Sequence, residues 1–330
     1  MPLGIGDDCA LVRPARGEDV AVTTDFSLET VHFLREMHPP ESVGHRCLAR
    51  GLSDLAAMGA RPLAAFLSLA VPRELTLPAR SGRSWTERFL DGLLALAKEW
   101  EVPLAGGDTA ESPRDQAHDS GLVAADIVLL GGITRNRALG RSGARAGDQL
   151  CVTGALGGAA AQLAALQQDP KAFRTLVVSS PGHPHLYPQP RLGVGRRLVA
   201  AHLATAAIDI SDGLSTDLYH LCEESGLAAE IDSAAIPIHP LAHKAEFAGG
   251  TGFAPGKGLE LALHGGEDYE LLFTCPAGKR VPRALAGVPV HRIGQMIPKR
   301  RGQPLVTRLE SAGKRTRRFP VRPSGWQHFL

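Results

Sequence analysis

Short apolar, strand-like runs alternate along this chain with amphipathic helical stretches. That alternation commits the chain to α/β layers, since each sheet face and each helix stripe must be buried against the other. Val20 and Val22 alternate in a strand over Asp19–Thr24. A helix runs from Ser42 to about Met58, with Val43, Cys47, Leu48, Leu52, Leu55 and Ala56 on one face and Gly59 as its stop. Leu63–Val71 reads as a buried strand, and Ser84 with Glu87 forms a capping-box pair ahead of a helix bearing Phe89, Leu93, Ala97 and Trp100. Val102–Ala105 is expected to be a short strand ending in Gly106-Gly107-Asp108, with another strand at Ala124–Leu130. Beyond the Arg- and Gly-rich stretch Arg137–Asp148, the predicted elements resume. They are the strand Gln149–Thr153, a helix from near Leu156, a helix over Arg191–Leu203, the strand Ala206–Ile210, the helix Leu214–Ser225 stopped by Gly226, and the strand Tyr269–Cys275. A length of 330 residues suits two domains, divided here as 1–142 and 143–330.

Composition narrows the function. The formal net charge is +2, no run of 18 apolar residues exists, and Met1-Pro2-Leu3-Gly4 lacks the basic-then-apolar start of an export signal. The expectation is a cytoplasmic protein with no membrane partner. Cys9, Cys47, Cys151, Cys222 and Cys275 are scattered and odd in number, which suits buried free thiols better than a disulfide framework or a zinc site. Nine cations fall between Lys299 and Arg322, namely Lys299, Arg300, Arg301, Arg308, Lys314, Arg315, Arg317, Arg318 and Arg322. Pro and Gly interrupt this run and Phe319 is its one aromatic, so it reads as the solvated face of a hairpin and not as a nucleic-acid site.

The chemistry lies in a set of aspartates. They are Asp7 and Asp8 in Gly-Ile-Gly-Asp-Asp, Asp25 in Thr-Thr-Asp, Asp54 in Ser-Asp-Leu-Ala-Ala-Met-Gly, Asp108 in Gly-Gly-Asp-Thr, and Asp209 and Asp212 in Asp-Ile-Ser-Asp-Gly. Any one alone is an ordinary turn or cap residue. Asp25, Asp108 and Asp209, however, are expected at or just past strand ends, where α/β proteins place ligand-binding groups. Like charges ~4 Å apart repel by roughly 4 kcal/mol at an effective dielectric of about 20, so converging carboxylates imply bound cations. Oxygen donors without His or Cys suit Mg²⁺ and phosphate chemistry. Gly106-Gly107, and Ser211 with Gly213 at a helix start, offer backbone N–H groups to an anion, while Gly154–Gly158 suits anion binding and helix packing equally. Neither a Walker A loop nor a protein-kinase catalytic loop is present.

These motifs, in order, resemble one family over essentially the whole chain. Gly4-Ile5-Gly6-Asp7-Asp8, Thr24-Asp25 followed by His32-Phe33, Ser53–Ala60 and Gly106-Gly107-Asp108-Thr109 come first. Arg141-Ser142-Gly143-Ala144, Gly147-Asp148, Asp209–Leu214, Gly265–Glu270 and Trp326-Gln327-His328-Phe329 follow. The family is that of the thiamine-monophosphate kinases. The resemblance implies an α/β (α+β) fold of two domains like that of aminoimidazole ribonucleotide synthetase. A mixed-sheet N-terminal domain would dimerise, and a C-terminal α/β domain would complete the site. It further implies a homodimer that phosphorylates thiamine monophosphate with ATP and Mg²⁺. By matching position, Asp8, Thr24, Asp25, Asp54, Asp108 and Asp209 would bind Mg²⁺, with Thr23 joining them and Asp212 holding a further ion. Gly107, Arg141 and Ser211 would contact ATP, and His32, Glu267 and Trp326 would hold thiamine phosphate. Taken alone, His32 also fits a capped or core histidine, Trp326 loose packing near the chain end, and Arg141 a surface ion pair.

A carboxylate and an aromatic face are what a thiazolium cation requires. The attacking phosphate oxygen has a second pKa of about 6 and is largely ionised at neutral pH, so no catalytic base is expected. Two departures from the family pattern stand out: only Met1-Pro2-Leu3 precede the first motif, and Ala110-Glu111 replace the Thr-Arg that usually follows Gly-Gly-Asp-Thr. The competing readings are a synthetase of the same superfamily and a non-catalytic nucleotide-binding protein.

Overall fold

The computed structural model describes residues 9, 12–79, 82–113, 121–170, 182–247, 257–312 and 315–326. The Gly-Ile-Gly-Asp-Asp motif with Asp8, Lys314, and Gln327-His328-Phe329 lie outside the described residues. The chain divides into two compact units, one of residues up to 55, 60–136 and 165–189, the other of residues 56–59, 137–164 and 190 onward.

The first unit is built on the strands β1 (Glu18–Leu28), β2 (Arg61–Val71), β3 (Leu104–Glu111) and β4 (Ala124–Thr134), with the helices α1 (Pro40–Met58) and α2 (Trp85–Glu99). The strands form a four-stranded sheet in the order β1-β4-β2-β3, in which only the β2–β3 pair is parallel. α1 packs on the face that carries Leu67, Leu69, Ile127 and Leu129, all buried. Glycines permit this fit: a Cβ on Gly51 would lie 2.6 Å from the Leu129 side chain. α1 and α2 cross at a pair of glycines, where Cβ atoms on Gly44 and Gly92 would lie 1.8 Å from the carbonyls of Phe89 and Glu41. Arg88 seals the crossing with a two-pronged ion pair to Glu41 at 2.7 and 2.9 Å. The expected capping box of Ser84 and Glu87 opens α2.

Two expectations change here. β1 extends to Leu28, which puts Asp25 inside the strand and not at its end. β3 runs straight through Gly106-Gly107-Asp108, since these residues pair in register with Phe66, Leu67 and Ser68 of β2. Gly107, at φ +142°, is required by close approach: a Cβ there would lie 1.8 Å from the Leu67 carbonyl oxygen.

A strap over residues 183–188 covers the start of α1. Ser42 Oγ donates to the Leu186 carbonyl at 2.9 Å, and His45 Nε2 donates to that of Pro188 at 2.7 Å. His185 lies buried between His38, 2.9 Å away through their Nε2 atoms, and Arg46 Nη1 at 2.6 Å.

The second unit carries β5 (Gln149–Thr153), β6 (Ala206–Asp209), β7 (Leu227–Asp232), β8 (Leu271–Cys275), β9 (Ala284–Leu285), β10 (Val288–Pro298), β11 (Val306–Ala312) and β12 (Arg315–Val321). Its helices are α3 (Gly158–Gln168), α4 (Leu192–Ala200), α5 (Leu214–Ser225), α6 (Pro240–Phe247) and α7 (Lys257–His264). The sheet order is β12-β11-β7-β10-β5-β8-β6, with β9 paired to β10. α5 lays Leu214, Leu218, Leu221 and Cys222 into a core with Leu150, Ile208, Ile231, Leu272, Ile293, Met296 and Val306. Gly226 ends α5 at φ +66°, the left-handed stop its position predicts. The basic run forms the hairpin β11–β12, and part of its charge is neutralised, with Arg308 on Glu310 at 3.0 Å and Arg318 on Glu230 at 2.6 Å. Cys47, Cys151, Cys222 and Cys275 are buried free thiols, whereas Cys9 is exposed. No helix among the described residues is long and apolar enough to cross a membrane.

Candidate active site

In the first unit, strand alternation sends Thr23, Asp25 and Ser27 of β1 toward α1 and leaves Thr24 and Phe26 on the opposite face. Thr23 Oγ1 donates a short hydrogen bond to Asp54 of α1. Asp25 is also hydrogen-bonded to Asp54, and its carboxyl is pushed up to about 7, first by burial and then by the charge of Asp54, with Arg50 acting in opposition. Thr24 Oγ1 donates to Asp126 Oδ1 at 2.7 Å on the other face. Register aligns Phe26, Asp126, Ser68 and Asp108 in one row across the sheet. Asp108 is exposed and accepts the Thr109 N–H at 2.8 Å. His32 Nδ1 accepts the Leu28 N–H at 3.0 Å, and its carbonyl accepts from Arg46 Nη2 at 3.1 Å. With Ser27, Phe33, Val43, Arg46 and Arg50, His32 lines a small pocket.

In the second unit, the turn between β6 and α5 gathers most of the remaining candidates. Asp209 is the last, buried residue of β6. The Glu267 N–H donates to the Ser211 carbonyl at 2.7 Å, and the Trp326 N–H donates to the next carbonyl, that of Asp212, at 3.1 Å. Glu267 and Trp326, more than fifty residues apart in sequence, thus dock on consecutive residues of one turn. Glycines make the approach possible: Cβ atoms on Gly266 and Gly325 would lie 2.6 and 1.8 Å from the carbonyl oxygens of Ser211 and Asp212. Trp326 remains 48% exposed. Arg141 is exposed, and its carbonyl accepts from Ser225 Oγ at 2.7 Å.

The expected anion site at the start of α5 is modified by a residue that the sequence did not single out. Asp217 accepts the N–H groups of both Asp212 and Gly213 at 3.1 Å, so those donors are already engaged. Burial, then Asp209 and Asp212, raise the Asp217 carboxyl well above its ordinary range. Asp126, Arg50, Asp268, Glu270 and Arg191 were missed as well. For Asp126 the signal was an acid inside the apolar run Ala124–Leu130, and for Arg50 its place one helical turn before Asp54.

Among the described residues, no group of three or more His, Cys, Asp or Glu side chains is placed to hold a metal ion. The acids instead stand as the hydrogen-bonded Asp25–Asp54 pair and as Asp209 and Asp212 around Asp217. Crowded carboxylates joined by hydroxyl oxygens, without thiolate or imidazole, fit a hard divalent cation.

Residues 6–133 match "AIR synthase related protein, N-terminal domain" and residues 145–306 match the corresponding C-terminal domain, which defines the class as a two-domain AIR synthase related protein. The thiamine-monophosphate kinase of Salmonella typhimurium is 40% identical over 299 residues, covering 89% of this chain and 83% of that protein. The chain belongs to the thiamine-monophosphate kinase family. The crystal structure of the thiamine-monophosphate kinase from Stenotrophomonas maltophilia superposes with a TM-score of 0.77 at 35% identity, over 93% of this chain and 90% of that one. A structure of AaThiL complexed with AMPPCP and TMP superposes with a TM-score of 0.75 at 29% identity, over 97% and 90% of the two chains.

Proposed function

We propose that this chain transfers the γ-phosphoryl group of ATP to thiamine monophosphate, giving thiamine diphosphate. The observation that carries the reading is the docking of Glu267 and Trp326 on consecutive carbonyls of the Asp209–Gly213 turn. It anchors the main chain of two residues whose carboxylate and indole suit a thiazolium cation on a turn that carries acids suited to a phosphate-bound metal. Family membership and the AMPPCP and TMP bound in AaThiL support the same pair of substrates.

In this reading several Mg²⁺ ions are held by Thr23, Asp25 and Asp54, by Thr24 on the opposite face of the first sheet, and by Asp8, Asp108, Asp209 and Asp212, and they supply neutralisation of phosphate charge when bound. Gly107, Arg141 and Ser211 contact ATP, and His32, Glu267 and Trp326 hold thiamine monophosphate. The acceptor phosphate is ionised at neutral pH, so the residues position and neutralise; none has to remove a proton. Transfer is direct and in line, without a phosphoenzyme. A stable phosphorylated aspartate or histidine during turnover would refute that step.

We assign the boundary between the two functional domains to 142/143 and the reaction to the cytoplasm, in keeping with the buried free thiols. The protein acts as a homodimer through the first sheet's outer face, where Val20, Val22 and Phe26 are 45, 64 and 60% exposed.

The test is formation of thiamine diphosphate from ATP, Mg²⁺ and thiamine monophosphate, followed by chromatography. The native chain is expected to form product, and Asp54→Asn to be slower by about 10²-fold or more. Free thiamine should not serve as acceptor. Magnesium-dependent ADP formation without thiamine diphosphate would overturn the assigned acceptor.

A further inference from the structure

The loop that carries Glu267 holds two non-glycine residues in the left-handed region, Glu267 at φ 66° and Tyr269 at φ 50°. Such backbone, for a bulky residue above all, persists only where the surroundings over-determine it. Three sets of contacts do so. The main chain is tied to the neighbouring turn, with Tyr269 N–H on the Ile210 carbonyl at 2.9 Å and Ile210 N–H on that of Glu270 at 2.8 Å. Asp268 reaches the start of α3 and accepts the N–H groups of Gly157 at 2.7 Å and Ala159 at 3.3 Å.

The third set centres on Glu270, which is only 3% exposed. Its carboxylate receives Arg191 Nε at 2.7 Å, Arg191 Nη2 on the other oxygen, and Thr153 Oγ1 at 2.6 Å. Thr153 Oγ1 also accepts the Leu271 N–H at 2.8 Å, so the residue after Glu270 is fixed from the same point. Gly154 leaves room for the carboxylate, since a Cβ there would lie 1.9 Å from Glu270 Oε1.

We propose that Arg191 is a positioning residue for the acceptor site, acting through Glu270 to hold the 265–270 loop in the strained conformation that presents Glu267. The inference rests on the reading of Glu267 as a thiamine-phosphate contact. Without Arg191, Glu270 is a buried charge lacking its counterion, and its relief is to move toward water. Glu267 lies three residues away on the same strained segment and moves with it. Of the assigned ATP contacts, Gly107 and Arg141 are not on that segment, and Ser211 meets it through its main-chain carbonyl, which accepts the Glu267 N–H, so the loss falls mainly on the acceptor.

The experiment is steady-state kinetics of Arg191→Met, Arg191→Lys, the double variant Arg191→Met/Glu270→Met, and Glu267→Gln, with thermal unfolding of each. Arg191→Met is expected to lower kcat/KM for thiamine monophosphate roughly 10- to 100-fold, the scale of a small misplacement, mainly through KM. KM for ATP should stay within about twofold of the native value on the same argument. Arg191→Lys, which keeps the charge but not the fork, should recover part of the loss. The double variant removes both charges and should regain native-like thermal stability without regaining the acceptor KM. If Glu267→Gln raises the acceptor KM and Arg191→Met does not, the inference is wrong while the assigned role of Glu267 stands. If Glu267→Gln leaves the acceptor KM unchanged, that role falls and the inference with it. Recovery of acceptor KM together with stability in the double variant would also overturn it, making the pair purely structural.

Discussion

Asp217 and Asp268 each hold two backbone N–H groups at the start of a helix, Asp217 at α5 and Asp268 at α3. They build the site from behind, and their titration reports on its integrity. Burial pushes the Asp268 carboxyl up to about 8, against the opposing effect of its backbone donors. Its folded-state pKa is raised, so the folded chain keeps a proton that the unfolded chain has released. The resulting stability is present in full below the ordinary carboxyl range and is lost as pH climbs toward about 8. Asp268→Asn should remove that slope, so the native chain should lose on the order of 1–3 kcal/mol relative to the variant between pH 5 and 8. Thermal unfolding across that range checks it, and parallel curves would refute the shift. At Gly107, an added methyl meets the Leu67 carbonyl and an unfavourable φ together. Gly107→Ala should cost about 2–4 kcal/mol and loosen β3, seen as a lowered Tm and faster amide exchange along β2.

Elements show how far the sequence could be read. α1, α2, β5 and α5 were legible because their signals are local: an apolar stripe, a capping box, a bounded run, a glycine stop. The hairpin β11–β12 was read from its basic run, whereas β7 and β10 were not, since their partners lie far along the chain. β3 was cut short because glycines normally weaken a strand, whereas here they admit a neighbouring backbone. In the candidate site, the motif aspartates drew notice because they stand in Gly-rich settings. Asp217, Glu270 and Arg191 act through partners that only the folded chain supplies. The strap on α1 went unread for the same reason, and it carries its own prediction. Burial holds His45 neutral, with its pKa down at about 4, while it donates to Pro188. Because the folded pKa is depressed, its contribution is present above the ordinary histidine range and is lost as pH falls from about 6.5 toward 4. His45→Gln should flatten unfolding midpoints over that interval, and an unchanged acid limb would argue against the assignment.

At the scale of the whole molecule, the exposed stripe of Val20, Val22 and Phe26 on the first sheet is the feature an isolated chain would least tolerate in water. Phe26→Asp should convert the proposed homodimer to monomer in sedimentation velocity, and a native chain that already sediments as a monomer would refute the dimer. The second sheet has a different consequence, one that concerns synthesis. β5 lies between β8 and β10, which leave the ribosome more than a hundred residues later, and Trp326 follows Asp212 by roughly 110. At about 5–20 residues per second, the turn that starts α5 waits about 6–22 s for Trp326. A nascent chain therefore carries its acids before Trp326 has docked on the turn. On the role proposed for Trp326, the acceptor site forms only in polypeptides translated through residue 326.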